Sequence, residues 1–203
     1  MVGILAIQGD FDMHKRILDK IGVPSIFVKS KEELFKTEAL IIPGGESTTL
    51  SILLDRFSLR GALLDYSEKK SIFGTCAGMI MLSTSKNIVD KVKTLNIMDF
   101  AVSRNSWGRQ VFSFEREIDL KFFNISSFNS VFIRAPKVES VGNGIVRQDS
   151  FKFEGSNLLE SAFDEEIVIV EDDRHLACSF HPEIGDDSRV HEYFLNNHYY
   201  EKF

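Results

Sequence analysis

Four short, largely apolar runs, at residues 2–7, 25–28, 39–42 and 71–73, alternate with segments of helical spacing. No other feature restricts the fold of the chain as strongly. His14, Ile17, Leu18 and Ile21 recur at the three-and-four spacing that puts side chains on one helical face, with Asp10 as a cap and Gly22 as a stop. Residues 48–57 carry Leu50, Leu53, Leu54 and Phe57 on one face, residues 59–66 read as another short helix, and helical spacing resumes at Met79, Ile80 and Leu82. A strand with no polar face must be covered on both sides. Strand–helix alternation supplies that cover as βαβ units. The expectation is an α/β fold with a central, mostly parallel sheet and helices on both faces.

The second half looks richer in strands. Candidates lie at 100–102, 110–114, 130–133, 138–141, 145–147, 167–170 and 176–180, followed by a last helix at 189–197 and a frayed end. Residues 142–165 are polar and weakly patterned, and read as loop or as an excursion with short elements of its own. No repeat or linker divides the 203 residues, so a single domain over 1–203 is expected. A chain of this size buries about 70% of its extended surface and needs no disulfide or metal staple.

Charge narrows the function. The chain has 24 Lys+Arg against 30 Asp+Glu, a net charge of −6, which argues against nucleic-acid binding. Two cysteines, Cys76 and Cys178, make no secreted disulfide framework, and a cytoplasmic location is expected. No apolar run approaches a membrane span. The apolar start lacks a basic flank and reads as a buried strand rather than a signal peptide. His14, His175, His191 and His198 show no metal-ligand spacing and read as surface or capping side chains; neither a metal nor a cofactor is expected.

Cys76 lies in Gly74-Thr75-Cys76-Ala77-Gly78, after a strand and before a helix. A nucleophile between two glycines at such a turn has the form of a nucleophile elbow. The turn lifts the side chain off the sheet edge, and the helix start favours a thiolate there. The N–H of Ala77 is placed to bind an oxyanion. The same residues also fit a buried cysteine in a Gly-rich turn. In Phe180-His181-Pro182-Glu183, an extended backbone points His181 and Glu183 the same way. Pro182 biases His181 toward that extended conformation. A carboxylate beside an imidazole fixes its tautomer and stabilises its charged form, although a His-Pro turn with a solvated Glu fits as well. Pro43-Gly44-Gly45-Glu46-Ser47-Thr48-Thr49 follows a strand and opens a helix, with Ser47 as the expected N-cap. Its glycines let backbone N–H groups approach a ligand, so Gly45 could complete an oxyanion hole with Ala77. It lacks the spacing and lysine of a P-loop.

Taken together, these motifs resemble the class I triad glutamine amidotransferases. Leu5-Ala6-Ile7-Gln8-Gly9, the Gly44-Gly45 loop, Arg104-Asn105-Ser106-Trp107-Gly108-Arg109-Gln110 and Phe132-Ile133-Arg134-Ala135-Pro136 narrow the resemblance to the glutaminase subunits of pyridoxal 5′-phosphate synthases. It implies a flavodoxin-like fold and hydrolysis of L-glutamine to glutamate and ammonia. Cys76 would be the nucleophile, His181 the proton carrier and Glu183 its orienter. A glutamine site is implied at Gly45, Glu46, Ser47, Arg104, Ile133 and Arg134. Gln8 and His14 are implied at an activating interface. The partner implied is a (β/α)₈-barrel synthase subunit, in a complex with twelve copies of each chain, and the glutaminase is expected to be weak until docked. A glutaminase of another amidotransferase pathway, or a non-enzymatic binding protein of the same fold, are the alternatives. Trp107 stands where Phe is usual, and the stretch between Pro136 and Ile167 looks longer than in the family.

Overall fold

A computed structural model describes residues 1–84, 92–103, 113–152 and 165–200. Strands β1 (Val2–Leu5), β2 (Ser25–Val28), β3 (Ala39–Ile42), β4 (Ser71–Thr75), β9 (Arg147–Lys152), β10 (Glu165–Glu171) and β11 (Leu176–Cys178) form a seven-stranded sheet. Its order is β2-β1-β3-β4-β11-β10-β9. The strands from β2 to β11 pair in parallel, and β10 and β9 add an antiparallel edge. The helices are α1 (Phe11–Lys20), α2 (Lys31–Leu34), α3 (Ser47–Arg56), α4 (Leu59–Ser67), α5 (Ala77–Leu82) and α6 (Arg189–His198). Two small antiparallel ribbons complete the fold: β5 (Phe100–Ser103) with β8 (Lys137–Val141), and β6 (Ser113–Leu120) with β7 (Ile125–Ile133).

Alternation along each strand sorts the core into two layers. Leu5, Leu40, Ile42, Ile72 and Ala177 face the side packed by α2, α3, α4 and α5. Val2, Ile4, Ala39, Ile41 and Phe73 face the side packed by α1, α6 and the β6–β7 ribbon. Each fully buried aliphatic side chain contributes about 1.5–3 kcal/mol relative to exposure. The expected mostly parallel sheet, covered on both faces, is therefore present. Among the described residues no helix is long and apolar enough to cross a membrane.

Several boundaries differ from the sequence expectation. The strand expected at 110–114 begins at Ser113 and runs on to Leu120, residues 110–112 lying outside the described part. The strand expected at 145–147 is instead β9, whose residues fall in the stretch read as loop. Residues 153–164 of that stretch lie outside the described part. Helix α2 was not expected; Ser30 and Glu33 close it with a reciprocal capping box. Helix α6 continues to His198 where a frayed end was expected. The four histidines read as surface or capping groups are all buried.

Candidate active site

The carboxyl ends of β1, β3, β4 and β11 share one edge of the sheet, where ligands of parallel sheets bind. Strand β4 ends at Thr75, and Cys76 follows at φ 48°, ψ −101° before α5 begins at Ala77. Such a conformation is costly for a residue with a side chain. Close packing holds it. A Cβ on Gly74 would lie 2.6 Å from the Gly78 carbonyl carbon, and one on Gly78 would collide with the Ile42 carbonyl oxygen. The two glycines thus let the elbow press onto β3. The Cys76 N–H donates to the Cys178 carbonyl at 2.8 Å, continuing the β4–β11 pairing and leaving the side chain to face the edge.

Strand β11 delivers the second group. The His181 N–H donates to the Val131 carbonyl at 2.8 Å, which ties the segment to β7 and brings Ile133 and Arg134 beside it. His181 Nδ1 pairs with Glu183 Oε1 at 2.7 Å, and both side chains are buried. That leaves Nε2 free of Glu183, and His181 and Cys76 line the same cleft. Burial works to lower the His181 pKa, but the hydrogen bonds and charges of Cys76 and Glu183 outweigh it and raise the pKa overall. Cys76 Sγ also lies 3.8 Å from the Ile133 carbonyl oxygen. Of the expected triad, His181 and Glu183 are thus hydrogen-bonded, and Cys76 lines the same cleft as His181.

A cleft of about 190 Å³ opens over Cys76, lined by Asp10, Gly45, Glu46, Ser47, Ile80, Ile133, Arg134 and His181. That is below the 300–1,000 Å³ or so of drug-sized sites and suits a small polar molecule. Glu46, not Ser47, is the N-cap of α3; its carboxylate accepts from the Thr48 and Thr49 N–H groups at 2.9 and 2.6 Å. Burial opposes ionisation of Glu46, but these bonds and the Thr49 hydroxyl lower its pKa to about 2. With Glu46 as the cap, Ser47 is the first helical residue, buried against the cleft. Gly45 has φ 144°, and a Cβ there would run into the Gln8 carboxamide. Gln8 Oε1 accepts from the Glu46 N–H at 3.0 Å. Ala77 opens α5, so its N–H is a helix-terminal donor facing the same edge. Arg134 is exposed, at φ 44°, on the cleft rim. Arg104 and Trp107 lie outside the described residues.

Two placements differ from expectation. His14 was expected at a partner interface, but its side chain has no accessible surface and sits behind Glu183. Asp10 was read only as a helix cap. It holds the N-cap position of α1 without a side-chain cap bond, and its Oδ2 lies 3.8 Å from His181 Nδ1. Its position just after β1, on the shared sheet edge, was the available signal. Asp10, His181 and Glu183 also form the one group among the described residues with metal-ligand spacing, but their imidazole nitrogen is already engaged by Glu183.

Known proteins resemble this chain along nearly its whole length. A model of the SNO glutamine amidotransferase family matches residues 4–199. Proteins named pyridoxal 5′-phosphate synthase subunit PdxT are similar: that of Thermosipho africanus is 42% identical over 197 residues, spanning 96% of this chain and 97% of its own. That of Kosmotoga olearia is 38% identical over 195 residues, spanning 96% and 95%. A crystal structure of a glutamine amidotransferase, 38% identical over 96% of this chain and 97% of its own, superposes with a TM-score of 0.77. A chain of the PurLQS structure from Thermotoga maritima shares the fold, at 17% identity and a TM-score of 0.56 over 96% and 97% of the two chains. On the match of residues 4–199 and these full-length relatives, the chain belongs to the SNO glutamine amidotransferase family.

Proposed function

We propose that this chain is the glutaminase subunit of a pyridoxal 5′-phosphate synthase, and that Cys76, His181 and Glu183 carry the hydrolysis. The observation that supports it best is the pairing of His181 Nδ1 with Glu183 at 2.7 Å beside a strained cysteine elbow at the cleft floor. The Cys76 sulfur attacks the side-chain amide carbon of glutamine. The developing oxyanion takes hydrogen bonds from the Ala77 and Gly45 N–H groups; one such donor is typically worth about 10²–10³ in rate. The carbon–nitrogen bond breaks as His181 protonates the departing ammonia, leaving a γ-glutamyl thioester on Cys76. His181 then takes a proton from water, which attacks the thioester and releases glutamate. Glu183 holds the imidazole and stabilises its charged form.

Arg134 and Arg104 pair with the substrate α-carboxylate, for which a guanidinium is well shaped. Glu46, Ser47 and Ile133 complete the glutamine site. The whole chain acts as one amidotransferase domain in the cytoplasm. Its ammonia is consumed by a separate synthase subunit, which is built as a (β/α)₈ barrel and assembles with it in twelve copies each. Gln8, whose carboxamide engages the Glu46 N–H of the oxyanion loop, links that loop to docking.

A glutamine analogue with a diazoketone in place of the amide tests the nucleophile. Mass spectrometry should find a single adduct on the Cys76 peptide, with the core residue Cys178 unmodified. An adduct elsewhere, or none with the partner docked, would overturn the assignment.

A further inference from the structure

Behind the triad lies a second row of imidazoles that the mechanism above does not use. His14 of α1 and His191 of α6 are both fully buried, and His14 Nδ1 lies 2.8 Å from His191 Nε2. His14 Nε2 lies 3.3 Å from Thr75 Oγ1 and 3.5 Å from Glu183 Oε2. Glu183 Oε2, the carboxylate oxygen not paired with His181, is buried with no hydrogen-bond partner, and so is His191 Nδ1.

These contacts select one proton arrangement. One of the two facing nitrogens, His14 Nδ1 or His191 Nε2, must carry the shared hydrogen. If His14 carried it on Nδ1, its Nε2 would turn a lone pair toward a carboxylate oxygen. His191 would then hold its own proton on Nδ1, a buried donor with nothing to receive it. In the opposite arrangement His191 donates from Nε2 to His14 Nδ1, and His14 carries its proton on Nε2, toward Glu183 and Thr75. The orphaned His191 Nδ1 is then an acceptor, which is the milder fault. Burial, with the neighbouring imidazoles adding to it for His14, lowers the pKa of both histidines, so both are neutral at physiological pH.

We propose that His14 is a positioning residue of the triad: held in its Nε2–H tautomer by His191, it offers that N–H to the outer oxygen of Glu183 and so fixes the carboxylate against His181. At rest the Nε2 hydrogen bond goes to Thr75 Oγ1 at 3.3 Å, and Glu183 Oε2 stands 3.5 Å away, a separation that catalytic contacts often close only with substrate bound. Thr75 immediately precedes Cys76, so the same imidazole braces the base of the elbow and the far side of the triad. The proposal rests on the triad reading of the preceding subsection. It does not depend on which synthase is served.

Nitrogen-15 NMR of histidine-labelled full-length chain tests the tautomer directly. His14 should appear as neutral imidazole protonated at Nε2; protonation at Nδ1 would overturn the proposal. Kinetics with the synthase subunit supply the second test. His14→Gln keeps an N–H at similar reach, whereas His14→Leu removes it. His14→Leu should lower kcat by about 10–100-fold, the range for outer hydrogen-bond partners of metal-bound histidines, with KM for glutamine unchanged. His14→Gln should restore most of that loss. Equal activity in both variants, or equal loss in both with a raised KM, would reduce His14 to packing. Hydrolysis by Cys76→Ala would instead sink the triad and leave the tautomer result standing.

Discussion

Replacing Cys76 by glycine should leave the protein at least as stable as replacing it by alanine. At an ordinary buried site the opposite holds. Glycine costs about 0.5–1 kcal/mol in chain entropy, and the lost methyl about 0.8 kcal/mol more. At Cys76 the backbone sits at φ 48°, ψ −101°. That is near the mirror image of an extended turn conformation, which glycine adopts freely and any Cβ opposes. Strain of this kind amounts to about 1–3 kcal/mol, present in cysteine and alanine alike. The midpoint of these figures favours glycine by about half a kcal/mol, where the ordinary expectation is a deficit above 1 kcal/mol. Urea unfolding of the two variants gives the difference, and thermal midpoints should agree at about 2–4 °C per kcal/mol. Both variants lack the sulfur, so its loss cancels. If Cys76→Gly proves less stable than Cys76→Ala by more than about 1 kcal/mol, the elbow stores no strain, and the packing of Gly74 and Gly78 has another cause.

Burial lowers the His191 pKa to about 3, from an ordinary value of 6.5. A neutral imidazole in the folded state means stability is full above the unfolded value and lost as pH falls toward the folded one. His191→Phe should therefore shrink the stability lost between pH 7.5 and about pH 5.5 by about 1 kcal/mol, measured by urea unfolding at each pH. An unchanged pH dependence would mean that His191 takes up its proton at the same pH in the folded as in the unfolded chain. Arg134→Glu should raise KM for glutamine well over tenfold while leaving kcat nearly unchanged, because a guanidinium–carboxylate contact acts on substrate and transition state alike. A fall in kcat with unchanged KM would move Arg134 out of the binding role.

Short apolar runs mark the sheet strands most plainly in this sequence. Strands β2 and β3 were expected at their observed bounds because each short run is closed by proline on one side, Pro24 before β2 and Pro43 after β3. Strand β6 was foreseen only at its start, because Glu115, Arg116, Glu117 and Asp119 break any apolar run; among the described residues it pairs only with β7 and keeps one side in water. Edge strand β9 is polar for a similar reason. Helix α2 is a single turn, too short for periodicity, though Ser30 and Glu33 spell a capping box. Within the site, Cys76, His181 and Glu183 were legible because each lies in a local motif at a strand end. His14 and His191 were not, since they are 177 positions apart and meet only when α1 and α6 pack on the same sheet face. Asp10 looked like a cap because its place in the chain is that of one, and only the folded edge turns its carboxylate toward His181.

The most direct test of the mechanism is glutamate release from glutamine by the purified chain and by Cys76→Ala, each with and without the cognate synthase subunit. The wild-type chain should release glutamate, strongly once the partner is docked, and Cys76→Ala should release none under either condition. Hydrolysis by Cys76→Ala, or none by the wild-type chain in a confirmed complex, would contradict the mechanism.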